Sequence, residues 1–193
     1  MPLLTTFLLP ILLLVIFLLV TFSIGRRILA MFKAELDQLE EFLVSTALGA
    51  GFLIYLGILL GTFHLLYKET YILVTVAALA LSIRQIREFW NLVVSLCRSI
   101  KQRLKPSLAG LFLLAYIFFI LVNLLTAFSP IADSDALTYH LAFAKVYANS
   151  HQLVYQPSQV YTTMPQGMTM LYTISELFST PGLSSLIAYS FGV

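Results

Sequence analysis

No charged residue occurs between Met1 and Gly25, between Phe42 and Tyr67, or between Pro106 and Ala132. Each run is long enough to cross a bilayer core as a helix, which takes about 20 apolar residues. Backbone inside lipid must satisfy its own hydrogen bonds, so helices are the expected form. Across the 193 residues only 10% are charged and 60% are hydrophobic. A soluble domain of that size could not hide so much apolar surface. The expected fold class is therefore all-α: a polytopic transmembrane helix bundle with the lipid bilayer as its first partner. A net charge of +2 is too small to argue for a nucleic-acid partner. The single cysteine, Cys97, excludes an intrachain disulfide and reads as a plain thiol or, less readily, an acylation site.

The first run predicts a span over 3–24, with Pro10 as a tolerated kink. Arg26 and Arg27 follow the apolar stretch instead of preceding it, which argues against a cleaved signal peptide. A short polar helical connector is expected at 35–41, then a second span within 42–67. Gly49, Gly51, Gly57 and Gly61 lie in that span and suit close helix approach. The run Thr70–Ile83 is short for a span. It reaches across only if its helix continues past Arg84 and Arg87, with both side chains snorkelling to the headgroups. Residues 84–105 predict a basic amphipathic helix suited to lying on an anionic membrane surface. Ile86, Phe89, Trp90, Val93, Cys97, Ile100 and Leu104 recur at helical spacing, and Arg84, Arg87, Arg98, Lys101 and Arg103 take other faces. A fourth span is expected at 108–127.

Charge asymmetry orients these spans. With the N-terminus outside, the inner segments carry nine of the eleven basic residues, and only Lys68 and Lys145 lie outside. That is the positive-inside pattern, and it places the loop 128–165 outside.

The loop holds the residues that suggest chemistry. Asp133 and Asp135 sit where a span meets the outer surface, and a helix is expected from 136 to about 148, stopped at Asn149-Ser150. Aspartate caps a helix N-terminus well, which is the structural reading of either residue. The functional reading is a general base that takes a proton from an acceptor hydroxyl. Such a pair also has the donor atoms for a divalent cation, although Asp-X-Asp alone specifies none. His140 reads equally as a locally bonded interfacial histidine or as a substrate contact. Neither a zinc-ligand cluster nor a phosphate-cradling glycine loop is present in the sequence.

The stretch Asp135-Ala136-Leu137-Thr138-Tyr139-His140-Leu141 is followed by Tyr161-Thr162-Thr163-Met164-Pro165-Gln166-Gly167-Met168-Thr169-Met170-Leu171-Tyr172. With the preceding span, these resemble the first extracytoplasmic loop of bacterial multispanning glycosyltransferases of the C superfamily (GT-C). These are relatives of protein mannosyltransferases and lipid A aminoarabinose transferases. The resemblance covers about 105–193. It divides the chain into leading helices with the basic amphipathic helix, 1–104, and the start of a GT-C-like module, 105–193. That module comprises the span 108–127, the loop 128–165, and one or more further spans over 166–193. The resemblance implies a polyprenyl-phosphate sugar donor and action at the outer face of the bacterial inner membrane. It implies an acidic base in the first loop, Asp135 ahead of Asp133. It also implies that Tyr139, His140, Pro165 and Gln166 line the substrate cavity. His151 and Gln152 stand where relatives often carry a helix-ending glycine. Because the family usually has many more spans, the apolar run reaching Val193 is expected to continue into them. The alternatives are a non-catalytic membrane scaffold or remnant and, further off, a transporter for which Glu176 is the sole ionisable candidate.

Overall fold

The computed structural model describes residues 7–33, 35–103, 107–129, 136–155, 157 and 166–192. Among them every regular element is helical: α1 Leu9–Phe32, α2 Gln38–Thr62, α3 Lys68–Leu81, α4 Ile83–Arg103, α5 Leu108–Ala127, α6 Leu141–Ser150, α7 Gly167–Leu177 and α8 Pro181–Gly192. A single π-helical turn, Ala136–His140, leads into α6. Helices α1, α2 and α5 are long and apolar enough to cross a membrane. The chain is an all-α bundle of membrane-protein type.

The first two helices form an antiparallel hairpin. Lys33, at φ 50°, ends α1 in the left-handed region. Asp37 starts α2 with a capping box: its carboxylate accepts from the Leu39 and Glu40 amides at 2.8 Å each, and the Glu40 carboxylate accepts from the Asp37 amide at 3.1 Å. Such caps stabilise a helix by ~1 kcal/mol. The helix therefore begins at Gln38, inside the segment expected to be a separate connector.

Along the hairpin the two backbones touch. Thr21 and Gly25 on α1 face Ser45 and Gly49 on α2. A Cβ built on Gly25 would overlap the Ser45 carbonyl oxygen, and one on Gly49 would overlap the Thr21 carbonyl. Each helix thus carries a small-xxx-small pair, which in lipid permits close van der Waals packing and Cα–H···O contact. The other side of α2 uses its remaining glycines differently. A Cβ built on Gly57 would come 2.9 Å from the Tyr71 hydroxyl and press on Met170 of α7, and one on Gly61 would come 2.7 Å from Leu153.

The bundle has two distinct ends. At one, which we call the arginine end, Arg26 bridges Glu41 (2.6 Å) and Glu88 (3.7 Å). Beside it the Arg27 guanidinium donates to the Leu81 carbonyl at the C-terminus of α3. The rings of Phe22, Phe42 and Phe89 meet there at centroid distances of 5.6 to 5.8 Å. At the loop end, the Leu66 amide donates to the His151 carbonyl (3.2 Å) and the Leu153 amide to the Gly61 carbonyl (3.1 Å). Phe7, just before α1, lies 5.5 Å from Phe128, just after α5. The chain therefore runs between the two ends four times, through α1, α2, α3 and α5.

Several expected boundaries change. Helix α1 continues through Arg26 and Arg27 to Phe32, because both arginines find partners on other helices. Pro10 stands in the first turn of α1, where its missing N–H costs nothing, and produces no mid-span kink. Helix α2 stops at Thr62, and residues 63–67 form a turn in which exposed His64 takes φ 61°. Helix α3 has 14 residues, ~21 Å of rise against a core of about 30 Å. It does not continue past Arg84: Ser82 (φ −119°, ψ 27°) breaks it, with Arg27 satisfying the carbonyl just before the break. By contrast, the fourth span runs from Leu108 to Ala127 as expected, with the Ser107 hydroxyl accepting from the Gly110 amide (3.1 Å).

The apolar stretch after Gln166 is a hairpin of two short helices of 11 and 12 residues. Ser179, at φ 52°, makes the bend. The Ser175 hydroxyl braces it by donating to the Thr180 carbonyl (2.6 Å). One hydrophobic cluster joins Phe17, Leu53, Tyr71, Tyr147, Met170 and Ile187, so α6, α7 and α8 pack into the same core as α1 to α3. Helix α5 meets the bundle along one edge, where the Tyr189 hydroxyl donates to the Ile120 carbonyl (3.1 Å).

The α1–α2 contact predicts a selective response to one methyl group. Gly49→Ala should destabilise the folded chain by about 1–3 kcal/mol through backbone overlap. Gly51→Ala, which meets nothing within 4 Å, should stay within ~0.5 kcal/mol. Reversible unfolding in mixed detergent micelles measures both; equal losses would mean the helices are not in backbone contact.

Candidate functional site

Helix α6 buries Phe143, Ala144, Tyr147 and Ala148 and exposes Lys145 and Asn149, an amphipathic division set by the helical repeat. Its buried face packs on α7, where Thr169 to Leu171 and Thr173 to Ser175 are buried. The two helices run in the same direction. Near their N-termini His140 meets Thr169, with Nδ1 and the Thr169 hydroxyl 3.1 Å apart. Tyr139 lies 4.1 Å from the imidazole, tilted by 46°, and Tyr172 meets it edge-on at 6.1 Å. The imidazole is thus a positioned hydrogen-bonding group in a half-buried aromatic wall.

Of the residues singled out in the sequence, Tyr139 and His140 come together here. Gln166 sits half-buried at the N-cap of α7, one turn before Thr169, and its carbonyl accepts from the Met170 amide (2.9 Å). The π-helical turn carrying His140 is in contact with α7. The described parts of the two stretches on which the family resemblance rests, 136–141 and 166–172, therefore converge. Asp133, Asp135 and Pro165 lie outside the described residues. In sequence, Asp135 directly precedes the π-helical turn and Pro165 directly precedes Gln166. Thr169 and Tyr172 are members of this site that residue-type reasoning did not single out. Among the described residues no group of three metal-ligating side chains is present.

No family model, curated protein or solved structure matches the chain.

A second polar feature lies further toward the loop end. An open cavity of about 370 Å³ is lined by Tyr67, Lys68, Asn149, His151, Glu176 and Ser179, among others. His151 closes α6 at φ 57°, the left-handed conformation usually given to glycine. Its ring stacks on Tyr67 at 4.0 Å, and its Nδ1–H donates to the Leu66 carbonyl at 2.9 Å. That bond fixes the tautomer and leaves Nε2 as the acceptor of the neutral ring. Glu176 is half-buried at this cavity, beside Lys68 and His151 and not midway along a long span. Burial pushes its carboxyl above the ordinary range, and the positive charge of Lys145 partly opposes this.

The sign of the pH effect follows. A carboxyl whose pKa is raised on folding adds stability while protonated and loses it as pH climbs through the raised value. The thermal midpoint of the chain in detergent should therefore fall as pH rises above the ordinary value of 4.5. Glu176→Gln should flatten that part of the profile; an unchanged slope would show that Glu176 is solvated like a surface carboxylate.

Proposed function

We propose that the chain is, or forms part of, a membrane glycosyltransferase of the GT-C kind. In this reading it moves a sugar from a polyprenyl-phosphate carrier to an acceptor hydroxyl at the extracytoplasmic face of the bacterial inner membrane. The observation that carries the reading is the meeting of the His140 and Thr169 segments. Two stretches 29 residues apart in the chain meet through the His140–Thr169 contact; in sequence one directly follows Asp135, the expected base, and the other directly follows Pro165, expected to line the cavity. Asp135 is the base of this scheme and Asp133 its alternate. The base takes the proton of the acceptor hydroxyl as that oxygen attacks the anomeric carbon, and the polyprenyl phosphate leaves. Tyr139, His140 and Gln166 orient the reactants. Aromatic faces such as those of Tyr139 and Tyr172 suit the apolar faces of a sugar ring. A divalent cation, if the reaction uses one, would help neutralise the leaving phosphate, and the two aspartates are the side chains with the chemistry to hold it.

Charge distribution supports the orientation in this scheme. Nine of the eleven basic residues belong to the segments that the sequence reading puts inside, and Arg26, Arg27 and Arg84 among them lie at the arginine end, which favours that end as the cytoplasmic one. The loop end, with the start of α1 and the end of α6, then faces outward.

Two outcomes are expected. In proteoliposomes supplied with a panel of labelled polyprenyl-phosphate sugars, Asp135→Asn should cut transfer by about 10²- to 10⁴-fold while the protein inserts normally. Turnover unchanged from wild type would remove Asp135 from the role of base. In a Cys97→Ser background, Asn149→Cys should react with a membrane-impermeant maleimide in intact cells. Ser99→Cys should react only after permeabilisation; the opposite pattern would reverse the topology.

A further inference from the structure

We infer that α4 is a docking surface for anionic lipid headgroups, anchored by Trp90 and read by Arg87 and Arg98. The helix carries five basic residues against one acidic residue. Its first half is clamped to the bundle. Glu88 accepts from Arg84 (3.0 Å) and pairs with Arg26 (3.7 Å). Phe89 packs between Phe22 and Phe42, and Leu92 is buried. These contacts fix one side of α4 against the ends of α1 and α2.

The side they leave uncovered has a mixed character. Ile83 is 72% exposed and Trp90 66% exposed. Arg87 stands between them at four- and three-residue spacing, so the three share one stripe. Arg98, eleven residues after Arg87, returns to the same side. Arg87 and Arg98 are both exposed, and neither forms an ion pair among the described residues. Water would leave the indole and isoleucine unfavourably placed, and hydrocarbon would do the same to the guanidiniums. The headgroup layer suits both.

Charge complementarity selects among headgroups. A guanidinium binds phosphate through paired N–H donors, and neither Arg87 nor Arg98 is engaged by a carboxylate among the described residues, Glu88 being taken by Arg26 and Arg84. The apolar stripe also continues into lipid-facing surface. Helix α5, which contacts α4, exposes Leu108, Leu111 and Phe112 in its first turns. The occupant is therefore the bilayer into which α5 already passes, enriched in anionic lipid at this helix.

Trp90 is the only tryptophan of the chain, so its fluorescence reports this surface alone. The full chain would be reconstituted in vesicles of phosphatidylcholine and phosphatidylglycerol in which one or the other lipid carries bromine on its acyl chains. Brominated phosphatidylglycerol should quench Trp90 several-fold more effectively per mole than brominated phosphatidylcholine at low salt. The preference should shrink toward parity at high salt. Arg87→Gln and Arg98→Gln should each lower it by up to roughly five-fold at low salt; both side chains are exposed, so folding is expected to be unaffected. Equal quenching by the two lipids at low salt would overturn the selection of anionic headgroups. Water-like emission untouched by either lipid would overturn the membrane docking itself and leave the stripe to a protein partner.

Discussion

Two helix backbones in contact, with Gly25 beneath the Ser45 carbonyl and Gly49 beneath the Thr21 carbonyl, set the geometry on which the other helices depend. Lipid tails are as apolar as leucine, so helices gain little from burying apolar side chains against one another. Closeness of approach decides which pairs are stable. The crossing brings Phe22 beside Phe42, which forms the seat for Phe89. It also sets Arg26 against Glu41 and then Glu88. Helix α4 is therefore positioned by α1 and α2 jointly, and the break at Ser82 follows because Arg27 already satisfies the end of α3.

Helix α2 carries this order to the loop end. Met170 rests on Gly57 and Leu153 on Gly61, so the depth of α7 and the path of the chain leaving α6 are read against the same helix. That is why Thr169 arrives opposite His140 although the residues are far apart in sequence. The functional reading rests on this chain of contacts. Among the described residues the loop is tied into the core by α6, which packs on α7, with His140 at its start and His151 at its end. The arginine end holds Arg26, Arg27 and Arg84, and in the proposed docking it turns Arg87, Trp90 and Arg98 of α4 to the headgroups. The two ends thus divide the labour, with proposed chemistry at one and lipid-directed anchoring at the other.

Much of the architecture was legible in the residues. Uncharged runs marked the long helices, the run after Pro106 marked α5, and the helix expected in the loop is present as a π-helical turn and α6, which runs through Asn149-Ser150 and ends at His151 instead. Less legible was everything set by partners distant in sequence. Arg26 and Arg27 looked like the end of a span, yet Glu41, Glu88 and the Leu81 carbonyl draw them into the helix. The glycines of α2 were visible as packing residues, but which neighbour each would meet was not, and Gly25 passed without notice. The paired signal was present: Thr21 and Gly25, like Ser45 and Gly49, stand four residues apart. In the site, Tyr139, His140 and Gln166 were marked by their motifs, whereas Thr169 was missed. Gln166, Thr169, Thr173 and Glu176 recur at three- and four-residue spacing, a polar stripe along α7 that a periodicity reading could have found.

The most direct test is photo-cross-linking with a polyprenyl-phosphate sugar that carries a diazirine on the sugar. The chain in native-like membranes would be irradiated, digested and mapped by mass spectrometry. Adducts within residues 136–141 and 166–172, lost when unlabelled donor is added, are the result expected if the donor binds where these segments meet. Adducts confined to the lipid-facing side of α5 and insensitive to competing donor would contradict it, and the loop end would then have to be explained without a sugar carrier.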